Sequence, residues 1–179
     1  GAVTVNLQSG RGTGGDAEGD FLLGIENVVG SGFSDVLIGN GGANTLNGAS
    51  GNDVLRGLGG ADRLSGGGGA DTFDFDSILD SSAGAGADLI LDFSRLEGDK
   101  IDLSTIDADA RVNQGGNQAF SPTLLALSAV FSSTGQLRFG YNAATNETII
   151  QGNTDTDASA EFEIHLSGNI ALTSADFIL

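Results

Sequence analysis

Between Leu37 and Phe73 one large apolar residue returns at every ninth position: Leu37, Leu46, Leu55, Leu64 and Phe73. Neither the 3.6-residue stripe of a helix nor the alternation of a long strand has that period. Each apolar position sits in a short stretch such as Val36-Leu37-Ile38, and the residues between stretches are mostly glycine, small or polar. The pattern predicts three-residue strands joined by tight turns, each strand pointing one side chain into a shared interior, which is the signature of a solenoid.

Set in register, the repeats are Gly30-Ser-Gly-Phe-Ser-Asp35-Val-Leu-Ile38, Gly39-Asn-Gly-Gly-Ala-Asn44-Thr-Leu-Asn47, Gly48-Ala-Ser-Gly-Asn-Asp53-Val-Leu-Arg56, Gly57-Leu-Gly-Gly-Ala-Asp62-Arg-Leu-Ser65 and Gly66-Gly-Gly-Gly-Ala-Asp71-Thr-Phe-Asp74. The first position is always Gly, the sixth Asp or Asn, and the eighth apolar, as in the calcium-binding G-G-x-G-x-D-x-U-x nonapeptide. A looser copy spans Gly15 to Leu23 with Asp20 at its sixth position, and the six-residue unit Gly24-Ile-Glu-Asn-Val-Val29 has lost three turn residues. That short unit is expected to turn the chain without holding a full metal site. Upstream, Val3-Thr-Val-Asn-Leu7 alternates as a strand.

The character of the chain changes near residue 75: 21 of the 30 glycines precede residue 71. Beyond it, Leu89–Phe93, Lys100–Leu103, Gln136–Phe139, Thr148–Gln151 and Phe162–Leu166 read as strands, and Asn142–Asn146 as a hairpin turn. Leu124–Val130 fits either a short helix or a strand. The fold class expected is all-β: a right-handed parallel β-roll over residues 1–75, regular at 30–74, followed by an antiparallel β cap or sandwich over 76–179.

Composition sharpens this picture. Seven basic residues face 24 acids, for a net charge of −17, which argues against a nucleic-acid partner. With no cysteine, neither disulfides nor thiolate metal sites can brace the fold. No segment reaches the roughly 18 to 20 apolar residues that span a bilayer, and Gly1–Val5 has no leader-like charge and apolar run.

Glycine-rich turns lose much backbone entropy on folding, and three-residue strands with one buried side chain recover little of it. The roll is therefore expected to need a staple. If two nonapeptides make one coil of eighteen residues, Asp35, Asp53 and Asp71 form one column and Asn44 and Asp62 the opposite one. The same spacing would continue the second column to Asp80 and put Asp20 beneath Asp35 through the short unit. Stacked carboxylates repel, and a hard cation resolves the repulsion. Calcium accepts six to eight oxygens at variable geometry, magnesium demands a stricter octahedron, and zinc is poorly served by a chain with one His. About four to eight ions are expected, each at an extracellular-type site of ~10⁻⁴ to 10⁻³ M. At millimolar calcium a site of roughly 10⁻⁴ M contributes about 1.4 kcal/mol, so five give on the order of 7 kcal/mol, the stability of an ordinary domain.

These repeats resemble the repeats-in-toxin family exported by type I secretion, and the second part is similar to the C-terminal domain of serralysin-type metalloproteases, through Gly69-Ala-Asp-Thr-Phe73, Asp92-Phe93 and Gly98-Asp-Lys-Ile-Asp-Leu103. The resemblance implies calcium held between stacked turns by Asp35, Asp53, Asp62, Asp71 and, less strongly because it is neutral, Asn44. It also implies carbonyl ligands at Gly30, Gly32, Gly39, Gly41, Gly48, Gly51, Gly57, Gly59, Gly60, Gly66 and Gly68. Phe33 stands where glycine is usual, and strain is expected in that turn. The terminal Ser174-Ala-Asp-Phe-Ile-Leu179 looks like a type I secretion signal, and also reads as a last β-strand. The implied role is a calcium-dependent folding and secretion module, monomeric and non-catalytic, that belongs to a larger secreted bacterial protein and meets the type I exporter. Its rival is an adhesive module that reaches an anionic glycan through calcium, although Tyr141 is the only Tyr and Trp is absent.

Weaker features remain. Asn153-Thr-Asp155-Thr-Asp157-Ala-Ser159-Ala-Glu161 carries an oxygen side chain at every second residue, as calcium loops do, yet lacks the turn Gly of an EF-hand, so a polar hairpin fits it too. Asp88, Asp92, Asp99 and Asp102 are acids beside short strands that could hold further ions near the junction or simply be solvated. His165 is read as a surface residue on the face of Glu163, and no His-Glu-x-x-His or G-x-S-x-G motif is present.

Overall fold

A computed structural model describes residues 1–110 and 118–179. The chain opens with β1 (Thr4–Asn6), β2 (Arg11–Thr13) and β3 (Asn27–Val29), the last formed by the shortened unit. The five regular repeats supply β4 (Val36–Ile38), β5 (Thr45–Asn47), β6 (Val54–Arg56), β7 (Arg63–Ser65) and β8 (Thr72–Asp74). Successive repeats alternate between two sheets. β4, β6 and β8 pair in parallel at a separation of eighteen residues, with Val36 opposite Val54 and Val54 opposite Thr72; β3, β5 and β7 do the same on the other side. The product is a right-handed parallel β-roll.

The eighth-position side chains form its interior. Leu37, Leu55 and Phe73 lie side by side in one sheet, Val28, Leu46 and Leu64 in the other, and the five from the regular repeats are wholly buried. A tight fit of glycine makes the coils stack closely. Gly51 and Gly69, at the fourth repeat position, have φ of +133° and +129°. A Cβ on Gly51 would meet the backbone of Phe33 and Ser34 in the coil below, so both the conformation and the space exclude a larger residue. Phe33 itself carries no such burden. Its φ is not positive and its ring is exposed, so the expected strain is not there; left-handed backbone falls instead on Ala49 (φ 78°) and Leu58 (φ 65°) at the second repeat position.

Both sheets continue beyond the repeats. The remaining strands are β9 (Asp88–Ile90), β10 (Lys100–Asp102), β11 (Leu125–Ala126), β12 (Gln136–Asn142), β13 (Glu147–Asn153), β14 (Phe162–Ser167) and β15 (Phe177–Ile178). The first sheet runs β2-β1-β4-β6-β8-β10-β15, and the second β3-β5-β7-β9-β14-β13-β12-β11. β12, β13 and β14 are the antiparallel cap, with Asn142–Asn146 turning the first hairpin, and β14 joins the roll by pairing in parallel with β9. The ambiguous stretch at 124–130 holds the two-residue strand β11. Leu64, Ile90 and Leu166 carry one apolar ladder from roll to cap, and Phe73, Ile101 and Phe177 the other, so the roll and the cap share one core. Among the described residues no helix is long and apolar enough to cross a membrane.

Candidate functional site

The parallel register places the sixth-position acids at the same corner of successive coils, just before each strand. Asp35, Asn44, Asp53, Asp62 and Asp71 are all buried. Along the first column each acid reaches the coil below: the Val3 N–H donates to Asp35 Oδ1 at 2.7 Å, the Asp35 N–H to Asp53 Oδ1 at 2.7 Å, and the Asp53 N–H to Asp71 Oδ1 at 2.9 Å. Asp99 ends the series by accepting the Asp71 N–H at 3.0 Å. In the second column the Asn44 N–H donates to Asp62 Oδ1 at 2.7 Å and the Asp62 N–H to Asp88 Oδ1 at 2.8 Å. One carboxylate oxygen thus satisfies a buried backbone donor, which is why a short acid suits this corner.

The second oxygen of Asp35 accepts the Ser31 N–H and that of Asp99 the Ser94 N–H at 2.8 Å, but in four of the acids it has no such role. Oδ2 of Asp53, Asp62, Asp71 and Asp88 is buried without a hydrogen-bond partner. A space opens against it at the first-position glycine of each repeat. A Cβ added to Gly48 would run into the Asp53 carboxylate and lie 2.6 Å from the Gly66 carbonyl oxygen, and one added to Gly30 would meet Asp35 Oδ2 and lie 2.7 Å from the Gly48 carbonyl oxygen. Carboxylate and carbonyl oxygens of neighbouring coils therefore converge on a place that only glycine leaves open. An unpaired buried carboxylate is costly, and the carboxyls respond. Burial above all raises Asp62 and Asp71 to about 6, opposed by the backbone N–H each accepts, with Asp80 adding charge at Asp62 and Asp99 and Asp53 at Asp71. Asp88, the most enclosed, is pushed by burial up to about 8, with Asp62 and Asp80 contributing. Asp53 and Asp99 are raised for the same first reason. An oxygen-only donor set of carboxylates and carbonyls, short of one positive charge per turn, fits calcium.

Two expectations about the column ends are corrected. Asp80 does not follow Asp62. It is buried, but its Oδ2 accepts from the N–H groups of Asp76 and Ser77 at 2.8 and 3.1 Å and closes its own turn. The place above Asp62 belongs to Asp88, 26 residues along the chain. Asp20 does not lie beneath Asp35 either, because β1 occupies that position. Asp20 is exposed in an open cleft with Asp16, Gly30 and Ser31. Asn44 sits in the column, with Oδ1 accepting from the Asn40 N–H at 2.8 Å, but where its neighbours hold a free oxygen it holds an unpartnered Nδ2.

The glycines divide by position. Gly30, Gly39, Gly48, Gly57 and Gly66 face the turn acids; Gly51 and Gly60, at the fourth position, bear on the coil below; Gly32, Gly41 and Gly68 have open space where a Cβ would go, and Gly59 nearly so. Asp92 is exposed and takes the N–H groups of Gly66 and Gly67, each at 3.0 Å. Asp155 and Asp157 lie in the cap, away from both columns, in the loop that joins β13 to β14. His165 lies on the Glu163 face as expected, bonded to Glu163 at 2.8 Å and to Glu147 at 3.0 Å.

Sequence spacing weighed Asp88 and Asp99 only as junction acids. The usable signal was that each immediately precedes an apolar-centred triplet, as the turn Asp does in every repeat: Asp88-Leu-Ile-Leu91 and Asp99-Lys-Ile-Asp102.

Comparison with solved structures finds likeness to the AlgE6R3 subunit of the Azotobacter vinelandii mannuronan C5-epimerase, at 30% identity and a TM-score of 0.60, covering 85% of this chain and 76% of that one. The AlgE6R2 subunit of the same enzyme aligns over 88% of this chain and 94% of that one, at 24% identity and a TM-score of 0.35, too low to bear on the fold. No curated protein sequence matches the chain. Residues 21–179 match the family described as peptidase M10 serralysin C terminal. Repeat, roll and family agree, and the chain is a calcium-binding β-roll module of the repeats-in-toxin type that belongs to the serralysin C-terminal family.

Proposed function

We propose that this module is a calcium-driven folding device for a larger secreted protein. The observation that carries the reading is the row of buried, unpartnered Oδ2 atoms on Asp53, Asp62, Asp71 and Asp88, the first three each at a coil interface where a Cβ-free glycine leaves room. Asp35, Asp53, Asp71 and Asp99 hold calcium in one column, Asp62 and Asp88 in the other, with carbonyls of the first-position glycines as partners. The ion supplies the positive charge that the stacked carboxylates lack. The chain's own residues supply alignment: Oδ1 of each acid is tied to the backbone of the coil below, so the free oxygen is held in place before any ion arrives.

Below micromolar calcium the uncompensated columns disfavour the roll, and at extracellular millimolar calcium they favour it. The module therefore stays unfolded during type I export and folds outside, where it acts without catalysis. Asp176–Leu179 serves the exporter while unfolded; once folded, Phe177–Ile178 form β15 and Asp176 pairs with Arg95 at 2.8 Å. Far-UV circular dichroism in chelator and in calcium tests the folding step. A β signal indifferent to chelator overturns it. Deleting residues 174–179 tests the export step in a host with a type I exporter, and undiminished export overturns it. The likeness to a subunit of a mannuronan C5-epimerase favours a second reading, contact with an anionic glycan bridged by calcium; calcium-dependent retention on immobilised mannuronan supports it, and elution unaffected by calcium rejects it.

A further inference from the structure

The loop between β13 and β14 lies outside both columns, yet it collects oxygen atoms in the same way. One carboxylate oxygen from each of Asp155, Asp157 and Glu161 falls within 4.8 Å of the other two. Acidic clusters occur on many surfaces, and this one alone would mean little. A second, independent feature is Asn153, which is wholly buried. Its Nδ2 donates to the carbonyls of Asp157 and Ser159 at 2.9 and 3.0 Å, which turns the amide into this loop. Its Oδ1 is buried without a hydrogen-bond partner. The donations by Nδ2 fix which end of the amide is oxygen, so the amide seated in this loop carries an unsatisfied buried acceptor. A buried acceptor without a donor is unfavourable, and a cation satisfies it as a donor would.

We propose that the 153–161 loop is a separate calcium site, in which Asp155, Asp157 and Glu161 supply carboxylate oxygens and Asn153 Oδ1 a neutral one. Only oxygen ligands are offered, three of them anionic, which suits a hard cation of variable coordination. The charges felt by Glu161 agree: burial first, then Asp155 and Asp157, push its carboxyl up. One oxygen of each acid is already anchored. The Thr154 N–H donates to Glu161 Oε2 at 2.5 Å, the Asp157 N–H to Asp155 Oδ1 at 2.8 Å, and the Ser159 N–H to Asp157 Oδ1 at 2.6 Å. The ion would pin the end of the β13–β14 hairpin, a function distinct from folding the roll.

The full chain and its D155N/D157N variant are titrated with calcium by isothermal calorimetry, while circular dichroism follows the roll. The expected result is one calcium fewer per variant chain, with the calcium midpoint of the roll transition unchanged. In parallel, manganese added to the calcium-folded wild type should broaden the backbone amide resonances of residues 154–161. Equal stoichiometry in the two proteins, or manganese broadening confined to the roll turns, overturns the proposal. Should the variant fail to fold, the manganese experiment on the wild type decides alone. A roll that ignored calcium would sink the folding reading and leave this site standing, since the cap amides report it separately.

Discussion

Replacing Asp88 with asparagine separates the two tasks of a column acid. The side chain is wholly buried; Oδ1 accepts the Asp62 N–H at 2.8 Å, and Oδ2 meets no donor. Burial pushes the carboxyl up to about 8, against ~3.9 in an unfolded chain. Because the folded value is the higher one, the metal-free folded state holds the proton more tightly. Its contribution to stability is full below about pH 4 and is lost as the pH rises toward about 8. At about pH 7.5 the loss is on the order of 5 kcal/mol, from roughly 3.6 pH units at about 1.4 kcal/mol each. Asparagine keeps the Oδ1 acceptor and never ionises. In chelator, Asp88→Asn should therefore hold the roll to higher pH than the wild type, with a shallower fall of stability between about pH 4 and 8. In calcium the variant lacks a ligand charge, so the stability gained from about 1 mM calcium should shrink by about 1.4 kcal/mol for a site of ~10⁻⁴ M. Urea unfolding followed by far-UV circular dichroism across this pH range, in chelator and in calcium, reads both effects. Where the chelated wild type is already unfolded, the fraction that folds on acidification replaces the urea midpoint. Asp20→Asn is the control, since Asp20 is exposed outside the stack and should leave both the pH slope and the calcium increment intact. Equal pH slopes for wild type and Asp88→Asn, together with an undiminished calcium increment, would refute the reasoning.

Asn44→Asp exchanges the buried, unpartnered Nδ2 for an oxygen; it should lower stability in chelator and add about 1.4 kcal/mol at millimolar calcium, as a calcium titration of urea midpoints would show. Gly48→Ala drives a Cβ against the Asp53 carboxylate and the Gly66 carbonyl; it should cost about 1–3 kcal/mol by overpacking and remove about one calcium by calorimetry. Ala49→Gly relieves a left-handed residue at φ 78°, worth ~1–2 kcal/mol less ~0.5–1 kcal/mol of glycine entropy, so a gain of up to about 1.5 kcal/mol should appear as a higher thermal midpoint in calcium.

Within the repeats the chain's local pattern decides the structure. Every coil from Gly30 to Asp74 has the same path length, so equal spacing in sequence becomes equal position in space, and Asp53 falls over Asp35 and Leu55 beside Leu37 at eighteen residues. Gly51, Gly60 and Gly69 follow from the same stacking, because each bears on the backbone of the coil below, and Gly48, Gly57 and Gly66 leave room for the turn Asp of their own repeat. The His165 face and the hairpin at 142–146 were equally legible, since both depend on neighbours within a strand or turn.

Beyond the repeats the path lengths differ, and spacing no longer determines register. After Asp62 the chain makes an excursion through the turn closed by Asp80, and the next strand of that sheet arrives at Asp88, 26 residues on, because Ile90 completes the ladder above Leu64 while Asp88 takes the buried Asp62 N–H. On the other face the step is 28 residues, from Thr72 to Lys100, and Asp99 meets the Asp71 N–H. At the opposite end β1 pairs with β4 across 32 residues and leaves Asp20 outside the stack. In all three places the demands that choose the partner are a buried apolar side chain and a backbone donor needing an acceptor. Both are properties of the assembled coil end and exist only once the coils are stacked. The nonapeptide by itself determined the roll, its two columns and their need for a cation; the tertiary structure decided which acids complete them.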